Sequence, residues 1–406
     1  MRQLTIDRLG AQGDGVTEDG AIFVARALPG ERVEGEVVEG RIAAPRILTP
    51  PAARIKPICA HYNACGGCAV QHANDSLVAD WKRALVRTAL ARCGLRGEVC
   101  APLSSPIAAR RRVKIAARRT KAGALAGFHG RRSETIVDVR HCAILDPRLA
   151  PAFDIARHLA KLGASRSTAL ALLATASEDG LDIAVTGGKE LGAEMQVQLG
   201  AYCDQMKIAR LAWSGEVMLQ RHPPRQRLGP AYVVPPPGAF LQATQAAQVQ
   251  LQTAVLEIAQ GAGNALDLFA GCGTFSFALA ESAAVHAVEG AQDMVQALEA
   301  AARNTSGLKA VTAEIRDLFR RPLLPDELKP YEFVVLDPPR AGARAQVAQL
   351  AASAVSRIAY VSCNPVSFAQ DASVLVQAGF EMGPVQPIDQ FRWSPHVELV
   401  AAFTRA

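Results

Sequence analysis

The hydrophobic pattern divides the chain into three stretches. Over residues 1 to about 55, short apolar runs such as "LTIDRLG", "AIFVARAL" and "ERVEGEVVEG" alternate with turns. No helical period is sustained there, which predicts a small β-barrel. The proline-rich "LTPPAARIKPIC" predicts a boundary. From Asp75 to Cys93, the residues Leu77, Val78, Trp81, Leu85, Val86 and Leu90 recur at helical spacing. That helix is a candidate to pack against the C-terminal domain. Mixed strands and helices follow to a second proline-rich joint, "VVPPPGAF", so a central α+β domain is expected over 56–232.

Beyond residue 233 the period alternates regularly. Helix "TQAAQVQLQTAVLEIAQ" leads to strand "ALDLFAG", turn "GCGT", helix "FSFALAESA", strand "VHAVEG" and helix "AQDMVQALEAAARN". Later strands are "EFVVLDPP", "RIAYVSC" and "HVELVAAFT". Strand–helix alternation predicts a doubly wound, mostly parallel sheet, a Rossmann-like α/β domain over 233–406.

A length of 406 residues suits two or three domains, and a composition half apolar and one-fifth charged suits a globular protein. No apolar run approaches the ~18 residues of a membrane span, and the first residues contain no apolar leader core. A cytoplasmic monomer is the expectation. The net charge of +6 leans mildly toward polyanions. In "RRRVKIAARRTK" (Arg110 to Lys121) seven of twelve residues are Lys or Arg. A solvated basic strand is the ordinary reading, and binding of nucleic-acid phosphates the sharper one.

The nine cysteines are an odd number without a leader, which argues against a disulfide framework. Cys59, Cys65 and Cys68 lie at C-x5-C-x2-C, with Gly66 and Gly67 allowing a tight turn. Cys142 is the candidate fourth ligand, with His61, His72 and His141 as alternatives. Four soft ligands suit zinc or an iron–sulfur cluster, and the five-residue gap favours [4Fe–4S].

"LDLFAGCGTF" reads as strand, glycine turn and helix start, where backbone N–H groups are free for a ligand. Glu289 ends the next strand, eighteen residues after Gly271, where a carboxylate can take a ribose diol. The third glycine of a dinucleotide fingerprint would fall at Ser276, so S-adenosylmethionine (SAM) fits better than NAD. Asp337 and Cys363 end successive strands and should share the ligand crevice of the sheet. Glu398 begins the last strand. An activated thiol, a base and SAM are what methylation of a pyrimidine C5 requires. The thiol adds to C6, C5 takes the methyl group, and the base removes the C5 proton. A free thiol is only a few per cent thiolate at pH 7, so the surroundings of Cys363 are expected to assist ionisation. Cys203 and Cys272 read as small buried hydrophobes.

Over most of its length the chain resembles the RNA uracil-5-methyltransferase (TrmA/RumA) family. "GDGVT…FVARALPGERV" looks like its TRAM domain, a β-barrel that holds RNA. "C-x5-CGGC-x2-QH" with Cys142 looks like the [4Fe–4S] site of the 23S rRNA members. "AFLQAT", "DLFAGCGTFS", "VEG", "LDPPR", "YVSCNP" and "HVE" follow the family's catalytic motifs in order. The resemblance implies Cys363 as nucleophile and Glu398 as the base. It implies Gln242, Phe269, Thr274, Glu289, Asp317 and Asp337 at the SAM site, and Phe240 beside the flipped base or cofactor. RNA, most of all 23S rRNA, is the implied partner. Thr244 and Thr274 replace the family's usual asparagines. "FRWSPHVE" replaces its "FPxTxHxE", putting Arg392, Trp393 and Ser394 in a loop expected to face RNA. Three other classes compete: a cytosine-5 methyltransferase, which would carry a second cysteine where Asp337-Pro338-Pro339-Arg340 stands; a non-catalytic RNA-binding or ribosome-assembly protein; and an NAD-dependent oxidoreductase.

Overall fold

The computed structural model describes residues 1–405. Its largest sheet has nine strands. Along the main path the order is Val311–Ile315, Ala284–Glu289, Asn264–Leu268, Phe333–Leu336, Arg357–Ser362, Glu398–Thr404, Gln386–Asp389 and Leu103–Ser104, while Glu381–Met382 pairs with Glu398–Thr404. The first five are parallel, and Glu398–Thr404 runs antiparallel to both of its neighbours on that path. Helices cover both faces, so inner strands such as Phe333–Leu336 are apolar at every position rather than at alternate ones.

Two of these strands escape the hydrophobic pattern. In Gln386–Asp389 a proline and an aspartate interrupt the apolar alternation, and Val311–Ile315 is an edge strand with polar Thr312 and Glu314. Helix "FSFALAESA" is also shorter than its pattern suggests, spanning only Ser276–Leu279.

The nine-stranded sheet recruits material from before residue 232. Helix Asp75–Arg92 starts at Asn74, whose side chain accepts from the Leu77 N–H at 3.0 Å. It buries Val86, Ala89 and Leu90, with Val99, in the core that holds Leu268, Val334, Ile358 and Phe368. Each fully buried aliphatic side chain contributes about 1.5–3 kcal/mol. Strand Leu103–Ser104 then pairs with Gln386–Asp389. The hairpin Gln226–Leu228 and Ala231–Val233 likewise packs Leu228 and Val233 against Ala270, Phe277 and Leu298. The C-terminal domain is therefore discontinuous in sequence.

The central domain is a seven-stranded sheet in the order Ile136–Asp138, Gly123–His129, Arg112–Thr120, Leu170–Ser177, Gly180–Thr186, Ile208–Trp213 and Glu216–Gln220. Helix Ala152–Gly163 packs Phe153, Ile155 and Leu159 into its core. The N-terminal stretch forms two small sheets of three and four strands around Ile6, Val24, Val33 and Ile42. Where the stretches meet, Leu28, Val70, Val78, Trp81 and Trp393 close a junction core. Among the described residues no helix is long and apolar enough to cross a membrane.

Candidate active site

Strand register puts Cys363 and Glu398 face to face. Ser362 is opposite Leu399 in the antiparallel ladder. One step further along that register, Cys363 faces Glu398. Asp337 follows Phe333–Leu336, the parallel neighbour on the other side of the Cys363 strand. Cys363 feels the charge of both carboxylates, and Asp337 feels that of Glu398. The helix after Cys363 begins at Asn364, whose Oδ1 accepts from the Val366 N–H at 3.1 Å and whose Nδ2 donates to the Arg340 carbonyl at 2.9 Å. The Asn-Pro step thus ties Cys363 to the Asp337–Arg340 segment.

The expectation that its surroundings assist ionisation of Cys363 is not met in the free protein. Burial pushes the Cys363 thiol up to about 12, and the carboxylates of Glu398 and Asp337 push the same way, opposed by Arg340. Burial also raises Asp337 to about 8, with Glu398 adding to it. Glu398, only 2 % exposed, is raised by burial to about 7, against the Gln390 hydrogen bond and Arg340. The site therefore holds a protonated thiol beside two carboxyls that are stronger bases than usual.

Gln390, which the motif reading did not single out, positions Glu398. Its Nε2 donates to Glu398 Oε1 at 3.0 Å and to Gln242 Oε1 at 2.7 Å, and its Oε1 accepts from the Ala243 N–H at 2.6 Å. Glu398 Oε2 is left available for a proton. Lys82 supports the same segment from helix Asp75–Arg92. Fully buried, it pairs with Asp389 and donates to the carbonyls of Phe391 at 3.1 Å and His396 at 2.9 Å. No motif signalled Lys82, because one lysine on an amphipathic helix reads as solvated.

Part of the basic stretch works inward. Arg111 donates to the Gln242 carbonyl at 3.1 Å and to Gln248 at 2.7 Å, and also bonds Gln245. Arg112 donates to the Ala239 carbonyl at 2.9 Å and lies over the Phe240 ring at 5.5 Å. Neither is a solvated cation; both fasten the central sheet to the segment carrying Gln242. Lys114, Arg119 and Lys121 remain exposed. Phe240 is 59 % exposed, an aromatic face open to a partner.

The glycine turn follows strand Asn264–Leu268. Gly271 and Gly273 have φ of 57° and 93°, and Phe269 adopts φ 62°, a conformation non-glycine residues rarely take. Glu289 accepts from the N–H groups of Gly271 at 3.0 Å and Ala291 at 2.9 Å, one on each oxygen. Each oxygen keeps a lone pair for a ribose hydroxyl. The Thr274 carbonyl accepts from Gln252 at 2.7 Å. Asp317 caps its own turn, accepting from the Phe319 N–H at 3.0 Å. Phe319 tilts against Phe269 with ring centroids 5.4 Å apart, an aromatic wall that no motif announced.

Cys363 stands where two cavities meet. One, of about 720 Å³, is lined by Cys59, Cys65, Cys68, Cys142, Arg131 and Arg132 as well as Cys363. The other, of about 520 Å³, runs between Asp7–Gln12 and helix Asp75–Arg92. His61 and His141 line the first cavity; His72 does not, its Nδ1 lying 2.5 Å from the Tyr62 hydroxyl. Cys59, Cys65, Cys68 and Cys142 are mutually near, since every pair of them interacts electrostatically. Burial raises Cys68 to about 12 and Cys142 to about 11. Among the described residues, no group of three or more His, Cys, Asp or Glu is placed to hold a single metal ion. As arranged, the thiols form no assembled metal site, which leaves both the zinc and the [4Fe–4S] expectations unsupported. Gln71 donates to Cys68 Sγ at 3.7 Å and the Gly67 N–H to Cys65 Sγ at 3.3 Å, contacts suited to thiolates.

The loop at residues 391–396 corrects another expectation. Trp393 does not face RNA: it is 3 % exposed in the junction core, and its carbonyl accepts from the N–H groups of Ala69 at 2.7 Å and Val70 at 3.1 Å. Arg392 turns to Asp75 at 2.6 Å. Ser394, Pro395 and His396 line the cavity instead. The substitution at Thr244 has a local role, since its hydroxyl caps helix Gln245–Ala259 and meets Ser105 at 2.7 Å.

The model of the tRNA (uracil-5-)-methyltransferase family matches residues 232–405. The chain is 33% identical to the 23S rRNA (uracil(1939)-C(5))-methyltransferase RlmD of Halomonas elongata, over 98% of this chain and 88% of that one. It belongs to the RNA uracil-5-methyltransferase family. The chain is also 43% identical, over the full length of both, to an uncharacterized RNA methyltransferase of Caulobacter vibrioides. Among solved structures, the tRNA (uracil-54, C5)-methyltransferase of Pyrococcus abyssi, in complex with S-adenosyl-L-homocysteine, superposes with a TM-score of 0.77 at 22% identity, over 99% of this chain and 100% of that one. The protein thus has the α/β fold of a SAM-dependent RNA uracil-5-methyltransferase.

Proposed function

We propose that this protein transfers a methyl group from SAM to C5 of a uridine in 23S rRNA through a covalent adduct on Cys363. The observation that carries this reading is the placement of Cys363 opposite Glu398 and beside Asp337, at the junction of two cavities. The rRNA target is favoured by the rRNA-modifying relative, which shares more sequence identity than the tRNA-modifying structural neighbour does.

The chemistry follows from the proton positions. The thiol gives its proton to one of the neighbouring carboxylates as sulfur adds to C6 of the flipped uracil. The resulting enolate takes the methyl group from SAM at C5, and the sulfonium leaves as the neutral thioether. Glu398, oriented by Gln390, removes the C5 proton through Oε2, and the thiolate is expelled from C6. Asp337 is close enough to the thiol to bind the uracil edge. Gln242, Phe269, Thr274, Glu289 and Asp317 form the SAM crevice, with Phe319 beside them. Cys59, Cys65, Cys68 and Cys142 would hold a [4Fe–4S] cluster: they are four soft ligands within electrostatic reach of one another. Bound there, a cluster would supply rigidity to the cysteine loop. The N-terminal sheets serve as a TRAM-type RNA-binding barrel.

The test uses anaerobically purified protein, SAM and RNA from cells grown on 5-fluorouracil. Fluorine at C5 does not leave as a proton does, so a denaturation-resistant adduct on Cys363 is expected, with the attached RNA naming the target. SAM and RNA binding without any adduct would overturn uracil methylation in favour of cytosine chemistry or a binding role.

A further inference from the structure

We propose that Arg131 and Arg132 form a phosphate clamp for the RNA strand entering the Cys363 cavity, held in place from two sides by the N-terminal barrel and the cysteine loop. The proposal rests on the RNA reading above and adds a site to it. Both residues lie in the turn after strand Gly123–His129, and Arg132 adopts φ 53°, a conformation that costs energy for a side chain of this size. Arg131 donates to Asp14 Oδ1 at 2.5 Å and Arg132 to Asp14 Oδ2 at 2.7 Å, while Arg41 also bonds this aspartate. Three guanidiniums share one buried carboxylate, so two positive charges are left over. Arg131 Nη1 is buried without a partner. No aspartate or glutamate lines the cavity, whereas Arg110, Lys114 and Arg340 join the two clamp residues there. Such a surface takes an anion with several acceptor oxygens, which a phosphodiester provides.

The second fastening comes from the cysteine loop. Gly66 N–H donates to the His129 carbonyl at 3.0 Å, and Cys65 pairs with Gly130 as an antiparallel bridge. A Cβ on Gly66 would meet the His129 oxygen at 2.9 Å and the Arg131 nitrogen at 3.1 Å. The loop bearing Cys65 and Cys68 therefore sets the height of the arginine turn above the cavity. This links the cysteine loop to substrate binding without assigning it any part in methyl transfer.

The test is fluorescence anisotropy of the full-length protein with a fluorescein-labelled 20-nucleotide oligouridylate between 50 and 300 mM KCl. Each phosphate contact on a single strand contributes about 0.7 to the slope of log affinity against log salt. The double variant Arg131→Gln/Arg132→Gln is expected to lose about 1.4 from that slope while SAM affinity, read by calorimetry, stays unchanged. Gly66→Ala, which keeps both arginines and every thiol, is expected to weaken RNA binding with SAM affinity intact. If the double variant also loses SAM binding and is misfolded, the half-exposed Arg132→Gln alone decides, with an expected loss of about 0.7. Wild-type affinity and slope in all variants overturn the clamp and leave the methyltransferase reading standing. Failure of the wild-type protein to bind the oligouridylate overturns both.

Discussion

Glu398 receives one amide proton of Gln390 at 3.0 Å, and the other goes to Gln242. A single side chain thus bears on the ionisation of Glu398 and on the position of Gln242. Donation to a carboxylate favours its charged form, so the bond holds Glu398 below where burial alone would put it. Gln390→Leu is expected to move the acid limb of the kcat/KM profile upward by about one pH unit. Activity at pH 6.5 should fall several-fold and largely recover at pH 9, with a higher KM for SAM. A profile parallel to that of the wild type would assign Gln390 a purely structural role.

Glu398 should cost the protein stability at neutral pH. Its carboxyl titrates near 4.5 when exposed and about 7 in the fold, so between these values the folded chain holds the extra proton. Stability therefore falls as pH rises through that window, by up to about 3 kcal/mol once pH exceeds 7. Glu398→Gln removes the titration, so urea unfolding should show the variant more stable than wild type at pH 8 and equal to it near pH 4. In the presence of RNA the same variant should accumulate the covalent adduct.

The buried Lys82–Asp389 pair makes an asymmetric prediction. Lys82→Met leaves an unpaired carboxylate in the interior, at a cost of about 3–5 kcal/mol. It also frees the carbonyls of Phe391 and His396, so methyl transfer should fall along with the urea midpoint. The double variant Lys82→Met/Asp389→Leu should recover part of the stability. Two variants of equal stability would mean that the charge left behind is not the problem.

The free enzyme should resist alkylation at Cys363. A thiol raised to about 12 is almost entirely protonated at pH 8, so iodoacetamide should label it far more slowly than an ordinary exposed cysteine. Because Glu398 is the second cause of the shift after burial, Glu398→Gln should speed labelling. Peptide mass spectrometry over a time course separates the two rates. Cys363→Ala should abolish methyl transfer and leave SAM affinity nearly unchanged.

What could be read in advance followed from local chemistry. Cys363 and Asp337 were legible because each ends an apolar run at a proline, and the glycine turn because a strand and an acidic strand end frame it. Lys82, Asp389 and Gln390 were not. Their roles come from a helix and a loop roughly 300 residues apart in sequence meeting across the sheet, which no local period encodes. Trp393 was misread for the same reason, since its pocket is assembled from Leu28, Val70 and Trp81. The arginines at 110–112 look like a charge run in sequence, whereas two of them are bonded to backbone carbonyls across the domain joint.

The recruitment of helix Asp75–Arg92 and strand Leu103–Ser104 into the catalytic sheet bears on how the protein is made. The ribosome releases these segments long before their partners in Gln386–Asp389 and Glu398–Thr404 exist. At typical elongation rates of about 5–20 residues per second, the apolar face of Val86, Ala89 and Leu90 waits roughly 15–60 s for its core. A nascent chain stalled midway exposes that face to chaperones and to its neighbours on the polysome. Slower translation of the second half of the message would lengthen that wait, and expressing residues 232–405 alone leaves a sheet edge and a helix-binding groove bare.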